Sequence, residues 1–436
     1  MTTTPAAPGP QAPGAAALRL SGLLRRPIAG RGGESIGRLS DVIVRLRGAD
    51  QPVVTGLVAA VAGRKVFVPV GQAASLAAPG GPGDQLRLTS AGLDLRPFDR
   101  RDGEVLLRAD VLGHRLIDVA SAQLIRAGDL ELAQRDGAWV VTGVDSRRGR
   151  RLRPARRDAA EFREWSQFEP LIGHSGSARL RGPFGRIRRL KPAQIADLLE
   201  EASKDEETEI LGLVHADPEL EADVFEELAG DLATRLLGAR TDGEIAGVLA
   251  RMRAGDAADA IAELPQRRRQ PVLDLLPARP RARVRTLMGY NPASAGGLMG
   301  MDYIAVPAVA SVAAAIAAVA AAAALPPEAL TSVHALDEAG RLCGVARLVT
   351  LLQSDPAAPL TRVCDDDPVR VGPDTDVVDV AVLMSDYNLI TVPVVDQHRA
   401  MLGVITVDDV LEITLPGDWR RREAAEPPDA RRGEPG

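Results

Sequence analysis

The strongest constraint on this chain is a repeat near its C-terminal end. SVHALDEAGRLCGVARLVTLL (332–352) aligns without a gap to TVPVVDQHRAMLGVITVDDVL (391–411). Each copy reads as an apolar strand, a turn carrying an Asp (Asp337, Asp396), a second strand entered at a glycine (Gly344, Gly403), and a helix. Upstream of each copy lies a short extended stretch, YIAVP or VRVGP, followed by an Ala/Val-rich helical pattern. Residues 298–355 and 362–415 are therefore two β-α-β-β-α units.

The rest of the chain divides by pattern and charge. The length of 436 residues implies two to four domains. Residues 1–17 are Ala-, Pro- and Gly-rich without a basic stretch leading into an apolar one, so they read as a disordered tail and not a signal peptide. Residues 18–146 are β-rich: SIGRLSDVIVRL, VVTGLVAAV and KVFVPV, then EVLLRADVLGHRLIDV, AQLIRAGDLELAQ and AWVVTGVD. LGHRLIDVASAQLIRAGDL echoes GESIGRLSDVIVRL, which predicts two small barrel-like units or one doubled unit.

Residues 147–190 read as a basic linker. The stretch 147–191 holds fourteen Arg and Lys against four acids. Such a block can follow nucleic-acid phosphates or an anionic membrane face, or pack on an acidic neighbour. Nucleic acid is not the expected partner of this block. Residues 192–264 carry nineteen acids against five basic residues, in helical segments of about ten residues punctuated by Pro, Gly or Asp. Short similar helices that cannot each bury a face alone predict a stacked superhelical array over 191–289.

Cys343 and Cys364 are the only cysteines, which excludes a disulfide framework and indicates a reducing, cytoplasmic setting. The most membrane-like run, VAAAIAAVAAAAAL (312–325), falls short of the roughly 20 apolar residues a span needs and is predicted to be a water-soluble helix. No transmembrane segment is expected. The five histidines are scattered, and no nucleophile elbow, P-loop or HExxH pattern occurs, so the chain is not expected to be an enzyme.

The doubled unit resembles a tandem pair of cystathionine-β-synthase (CBS) domains, over 290–360 and 361–416. YNPASAGGLMGMDYIAVP (290–307) resembles the junction ahead of the CBS pair in MgtE-type magnesium transporters, and the array at 191–289 resembles the MgtE N-terminal domain. Together the resemblance covers about residues 190–415. The β region is similar to PRC-barrel domains through IGRLSDVIV. MgtE transporters continue into a membrane pore, whereas residues 417–436 form a polar tail, so a sensor body without a pore is expected. The resemblance implies a multidomain α+β architecture: a β-barrel-like module, an all-α superhelical domain and a C-terminal α/β CBS pair. It further implies a homodimer formed through the CBS pair and a separately encoded divalent-cation transporter as partner. Contact with the inner face of a membrane is also expected.

GVITVDDV (403–410) is the candidate site, and three readings stand for it. Thr406 and Asp409 fit a capping box, with carboxylates favoured in a first helical turn. The resemblance implies a second reading, an adenine nucleotide (ATP, ADP or AMP) held by Gly403, Thr406 and Asp409. The base would then lie near Val371 and the stretch Leu389, Ile390, Thr391 to Pro393. In the first repeat Arg347 and Thr350 replace Thr406 and Asp409, so one site per chain is expected. The third reading, also implied, is Mg²⁺ or Mn²⁺ bridging array and CBS pair through Asp256, Asp259, Asp366, Asp408 and Glu412, hard oxygen ligands suited to a hard cation. The expected function is cation sensing in Mg²⁺ homeostasis. The alternatives are an adenine-nucleotide energy sensor and an RNA- or ribosome-associated protein.

Overall fold

The computed structural model describes residues 17–46, 51–73, 76, 85–89, 94–146, 162–172, 185–323 and 325–414. Most of the expected basic linker and both expected tails lie outside these residues. The chain forms two compact units, Met1–Leu228 and Ala229–Gly436. Among the described residues no helix is long and apolar enough to cross a membrane. Among the described residues of the run at 312–325, the helix spans Val312–Ala321.

In the first unit, one curled sheet runs β1-β10-β11-β4-β3-β2-β6, with β5 on β4, β7 on β3 and β12 on β11. Its strands are β1 (Leu18–Arg19), β2 (Pro27–Ala29), β3 (Ser35–Arg45), β4 (Val53–Val61), β5 (Arg64–Pro69), β6 (Leu86–Arg87) and β7 (Glu104–Leu106). They continue with β10 (Asp129–Arg135), β11 (Ala138–Asp145) and β12 (Arg163–Glu164). A second sheet joins β8 (Arg115–Asp118) to β9 (Gln123–Arg126) and β13 (Phe168–Pro170). Leu20, Val42, Leu57, Leu107, Leu132, Val141, Trp165 and Phe168 belong to one buried cluster. The echo in the sequence is thus one doubled unit with a common core.

The doubling has a pseudo-two-fold relation. VVTG occurs at Val53–Gly56 and again at Val140–Gly143, and the equivalent residues Val53 and Val140 pair with each other where β4 meets β11. Each half caps a turn of the other. Asp41 accepts the amides of Arg108 (2.8 Å) and Ala109 (3.1 Å), and Asp129 accepts the amide of Ser21 (3.0 Å) and its hydroxyl. Both aspartates also accept the amide of the next residue, Val42 or Leu130. Burial raises the Asp41 pKa, and these amide bonds oppose the shift.

β12 and β13 lie inside the stretch expected as linker. They escape sequence reading because they have two and three residues and no alternating pattern. Arg186 is buried there and donates to the carbonyls of Trp165 (3.0 Å) and Phe168, while its amide reaches Glu169 at 2.6 Å. A buried guanidinium that saturates backbone carbonyls acts as structure rather than as a free cation. The unit closes with α1 (Pro192–Glu201), α2 (Lys204–Val214) and α3 (Pro218–Glu227). Pro at the first position starts α1 and α3, and a Ser203–Glu206 capping box starts α2. Arg115 of β8 pairs with Glu206, Nε to Oε1 at 2.8 Å, tying these helices to the sheet.

The second unit opens with α4 (Gly230–Gly238), α5 (Asp242–Leu249), α6 (Ala254–Glu263), α7 (Gln266–Leu275) and α8 (Ala278–Leu287). Helices pack on the next but one: α4 on α6, α5 on α7, α6 on α8. This is the stacking that ten-residue helices with narrow apolar faces require. α8 eludes the apolar pattern because Val284 and Leu287 are its only buried residues among five charged or proline positions.

The junction follows as a single turn, α9 (Ala295–Leu298). A Cβ on Gly296 would stand 2.7 Å from the Tyr290 ring, and one on Gly297 would stand 2.3 Å from the Asn291 carbonyl oxygen. The two glycines of SAGG let the chain fold tightly enough for the Gly296 amide to reach the Pro373 carbonyl at 2.7 Å.

The first repeat comprises β14 (Ile304–Pro307), α10 (Val312–Ala321), β15 (Ser332–Leu336), β16 (Leu342–Arg347) and α11 (Leu348–Leu352). β14 runs parallel to β15, and β15 antiparallel to β16. The second has α12 (Val377–Asp386), β17 (Thr391–Val395), β18 (Met401–Thr406) and α13 (Val407–Thr414). Its expected first strand is reduced to one parallel bridge, Val371 to Val394. Both hairpins turn alike: Asp337 accepts the amides of Ala339 and Arg341, and Asp396 those of His398 and Ala400. The tips join reciprocally, Leu342 N–H to Arg399 O at 2.9 Å and Met401 N–H to Gly340 O at 3.4 Å.

Candidate ligand site in the paired repeats

A cavity of about 800 Å³ opens between the two repeats. Leu389, Ile390, Thr391 and Pro393 of the second repeat line one side, and Arg347 and Thr350 of the first line the other. The floor is apolar, with Val345, Val363 and Val369, and hydroxyls come from Ser332, Thr350 and Thr391. Arg347 is exposed, and its guanidinium has no acidic partner among the described residues. The carboxylate of Asp365 also lines the cavity, and an apolar hollow with a few polar groups and one cation free of an ion pair suits a ligand of nucleotide size.

The structure divides the sequence-derived nucleotide set. Leu389, Ile390, Thr391 and Pro393 line this cavity, whereas Val371, Gly403, Thr406 and Asp409 are not among its lining residues. Val371 is buried, and its amide bonds the Pro393 carbonyl at 3.1 Å. Gly403 meets protein backbone: an added Cβ would lie 2.7 Å from Gly300 O and 2.9 Å from the Met299 side chain. That approach is fixed by paired Gly300–Val404 amide bonds of 2.9 Å.

Thr406 and Asp409 form the capping box. The Thr406 amide and hydroxyl donate to Asp409 Oδ2 at 2.8 and 2.7 Å, and the Asp409 amide donates back to Thr406 Oγ1 at 3.3 Å. Burial raises the Asp409 pKa, opposed by the Thr406 bonds and by the charge of Arg253, and reinforced by Asp408. Asp408 itself is exposed. The two adjacent aspartates thus face different surroundings, one turned inward and one outward.

The remaining metal candidates are dispersed. Asp256 pairs with Arg253 at 2.8 Å, Asp259 is exposed one turn further along α6, and Asp366 is exposed in its loop. The neighbouring Asp367 is engaged by Arg370 at 2.8 Å and Arg399 at 3.5 Å. Glu412 belongs to α13, but its side chain lies outside the described residues. Among the described residues no group of three or more His, Cys, Asp or Glu side chains is arranged to hold a metal.

Arg347 and Thr350 are cavity-lining residues that the motif reading passed over. The ungapped alignment already placed them opposite Thr406 and Asp409, but the loss of the motif made the position look vacant. His334 was missed too. It is buried in β15, edge-on to Tyr303 with centroids 5.7 Å apart. Its Nδ1 lies 3.0 Å from the Ile304 carbonyl, and its Nε2 has no partner among the described residues. Burial lowers its pKa to about 4, so the ring is neutral near pH 7 and Nδ1 carries the donated proton.

Two family models match parts of this region. The model of the MgtE intracellular N domain matches residues 190–293, and the CBS domain model matches residues 360–415. The magnesium transporter MgtE of Thermus thermophilus is 37% identical over 144 residues, 33% of this chain and 32% of that protein. The magnesium transporter MgtE of Enterococcus faecalis is 25% identical over 130 residues, 30% of this chain and 28% of that protein. The match thus spans less than a third of the length of either relative. Among solved structures, the cytosolic domain of the Mg²⁺ channel MgtE in complex with ATP is 30% identical, covering 52% of this chain and 92% of that chain with a TM-score of 0.49. The soluble part of a magnesium transporter is 22% identical, covering 52% and 89%, also with a TM-score of 0.49. The chain thus carries a match to the MgtE intracellular N domain over residues 190–293, followed by a match to the CBS domain over residues 360–415.

Proposed function

We propose that this protein is a regulatory sensor of divalent-cation homeostasis, with the MgtE-type array and CBS pair as its sensing body. The observation that carries the reading is the cavity between the repeats. A ligand there touches both repeats at once, so its binding energy can bias their arrangement. Its class is an adenine nucleotide: the base lies against Leu389, Ile390 and Pro393, and Arg347 meets the phosphates. Mg²⁺ or Mn²⁺ acts on the carboxylates of Asp256, Asp259, Asp366, Asp408 and Glu412, screening their repulsion and compacting the unit. The magnesium transporters among its relatives support Mg²⁺ as the physiological cation.

The protein works as a cytoplasmic homodimer without catalysis and passes its signal to a cation transporter. The packed pair α12 and α13 exposes Val378, Val382, Leu411 and Ile413, and this apolar surface supports the homodimer. The energy-sensor reading, in which the nucleotide is the main ligand, draws on the same cavity. The RNA reading rests on the basic linker, most of which lies outside the described residues. Isothermal titration of the full chain with ATP and with AMP tests the site. The wild type binds at least one of them, and Arg347→Ala weakens that binding about tenfold, as loss of a charge-assisted contact implies. Failure of both nucleotides to bind contradicts the assignment.

A further inference from the structure

The acidic array changes sign in its last two helices. From residue 265 to residue 289 the chain carries Arg267, Arg268, Arg269, Arg279, Arg281, Arg283 and Arg285 against the single acid Asp274. Three of these arginines are committed to the fold: Arg268 to Asp242, Arg269 to the Leu264 carbonyl, and Arg283 to Asp302. The guanidinium groups of Arg267, Arg279, Arg281 and Arg285 have no acidic partner among the described residues. Arg267, Arg279 and Arg285 are exposed, and Arg281 is half-buried. On α8, Arg279 and Arg285 lie on the arc away from Val284 and Leu287, which face the core, and Arg281 lies at its edge, one turn before Val284.

We propose that α7 and α8 form a docking surface for an anionic lipid bilayer. Arg267 on α7 and Arg279, Arg281 and Arg285 on α8 carry no acidic partner among the described residues, and each guanidinium is suited to a phosphate oxygen. Two further features favour a bilayer over nucleic acid. Leu275, at the end of α7, is 56% exposed, and Met288, just past α8, is 39% exposed. Apolar side chains flanking a cationic helix enter the acyl boundary, whereas on a nucleic-acid backbone they would stay in water. No aromatic residue occurs between 265 and 289, which removes the stacking platform of a single-strand binder. The surface is separate from the cavity, so the inference goes beyond the sensing role.

The test is co-sedimentation of the full chain with phosphatidylcholine vesicles and with vesicles containing phosphatidylglycerol. The expected result is binding to the phosphatidylglycerol vesicles alone, weakened by added salt. Arg279→Glu, Arg281→Glu and Arg285→Glu together are expected to lower it by at least about tenfold. The corresponding triple substitution to Gln, which removes charge without reversing it, is expected to give an intermediate loss with an unchanged circular dichroism spectrum. Leu275→Ser with Met288→Ser is expected to weaken binding at constant charge. The basic linker is intact in every variant. Triple variants that bind vesicles like wild type overturn the proposal, as does wild-type protein that retains duplex DNA or RNA in preference to the vesicles.

Discussion

Thr391 donates its hydroxyl to Ser332 Oγ at 3.1 Å, and these two residues hold the same position in the two repeats. The pair sits on the pseudo-two-fold relation of the CBS-like pair, both members are 7% exposed, and both line the cavity. Thr391→Val leaves a buried hydroxyl without its partner and is expected to cost about 1–3 kcal/mol. Ser332→Ala with Thr391→Val removes both partners and is expected to cost less than the sum of the singles. Urea midpoints of the three variants decide this, and additive losses would refute the coupling.

Gly403 carries a steric requirement where Gly247 carries none. Gly403→Ala drives a methyl against the Gly300 carbonyl and is expected to destabilise by about 1–3 kcal/mol. Gly247, inside α5 with nothing within 4 Å of its would-be Cβ, should accept Ala with a gain of about 0.5–1 kcal/mol. Thermal midpoints moving in opposite directions are the predicted outcome.

His334 gives the second unit an acid sensitivity with a defined sign. Its folded pKa of about 4 lies below the ordinary value of 6.5, so between these values the unfolded chain binds more protons. Its contribution is therefore complete above pH 6.5 and is lost as pH falls toward 4, by an amount on the order of 3 kcal/mol. His334→Phe is expected to flatten the dependence of the urea midpoint on pH across that window, whatever its effect on absolute stability.

Asp408 and Asp409 are expected to separate experimentally. Asp409→Ala removes the reciprocal bonds to Thr406 and should lower stability by about 1 kcal/mol. Asp408→Ala, at an exposed position, should leave the thermal midpoint in place while reducing the response to Mg²⁺. Equal effects on stability would contradict the division of roles.

The repeat at 332–352 and 391–411 was legible because strand, turn and helix periods agree with an ungapped alignment, and every hairpin Asp and strand glycine fell where expected. The array was legible wherever apolar residues recur, and α8 was hidden because arginines occupy its outward face. In the β region the echo was visible, but a common core was not. That depends on Asp41 and Asp129 each reaching a turn far away in sequence, and on Val53 pairing with Val140. The cavity lining was legible in part. Leu389, Ile390, Thr391 and Pro393 line it, but the motif pointed to Thr406 and Asp409, whose pattern serves capping and ligand binding equally well. Arg347 fits no motif and is recognised only because it lines the cavity without an acidic partner among the described residues.

The central claim is cation-dependent compaction, and small-angle X-ray scattering across millimolar Mg²⁺, with and without ATP, tests it most directly. The radius of gyration is predicted to fall as Mg²⁺ rises, with the midpoint shifted by ATP and the response reduced by Asp408→Ala. Scattering profiles that superimpose from metal-free to saturating Mg²⁺ would contradict it.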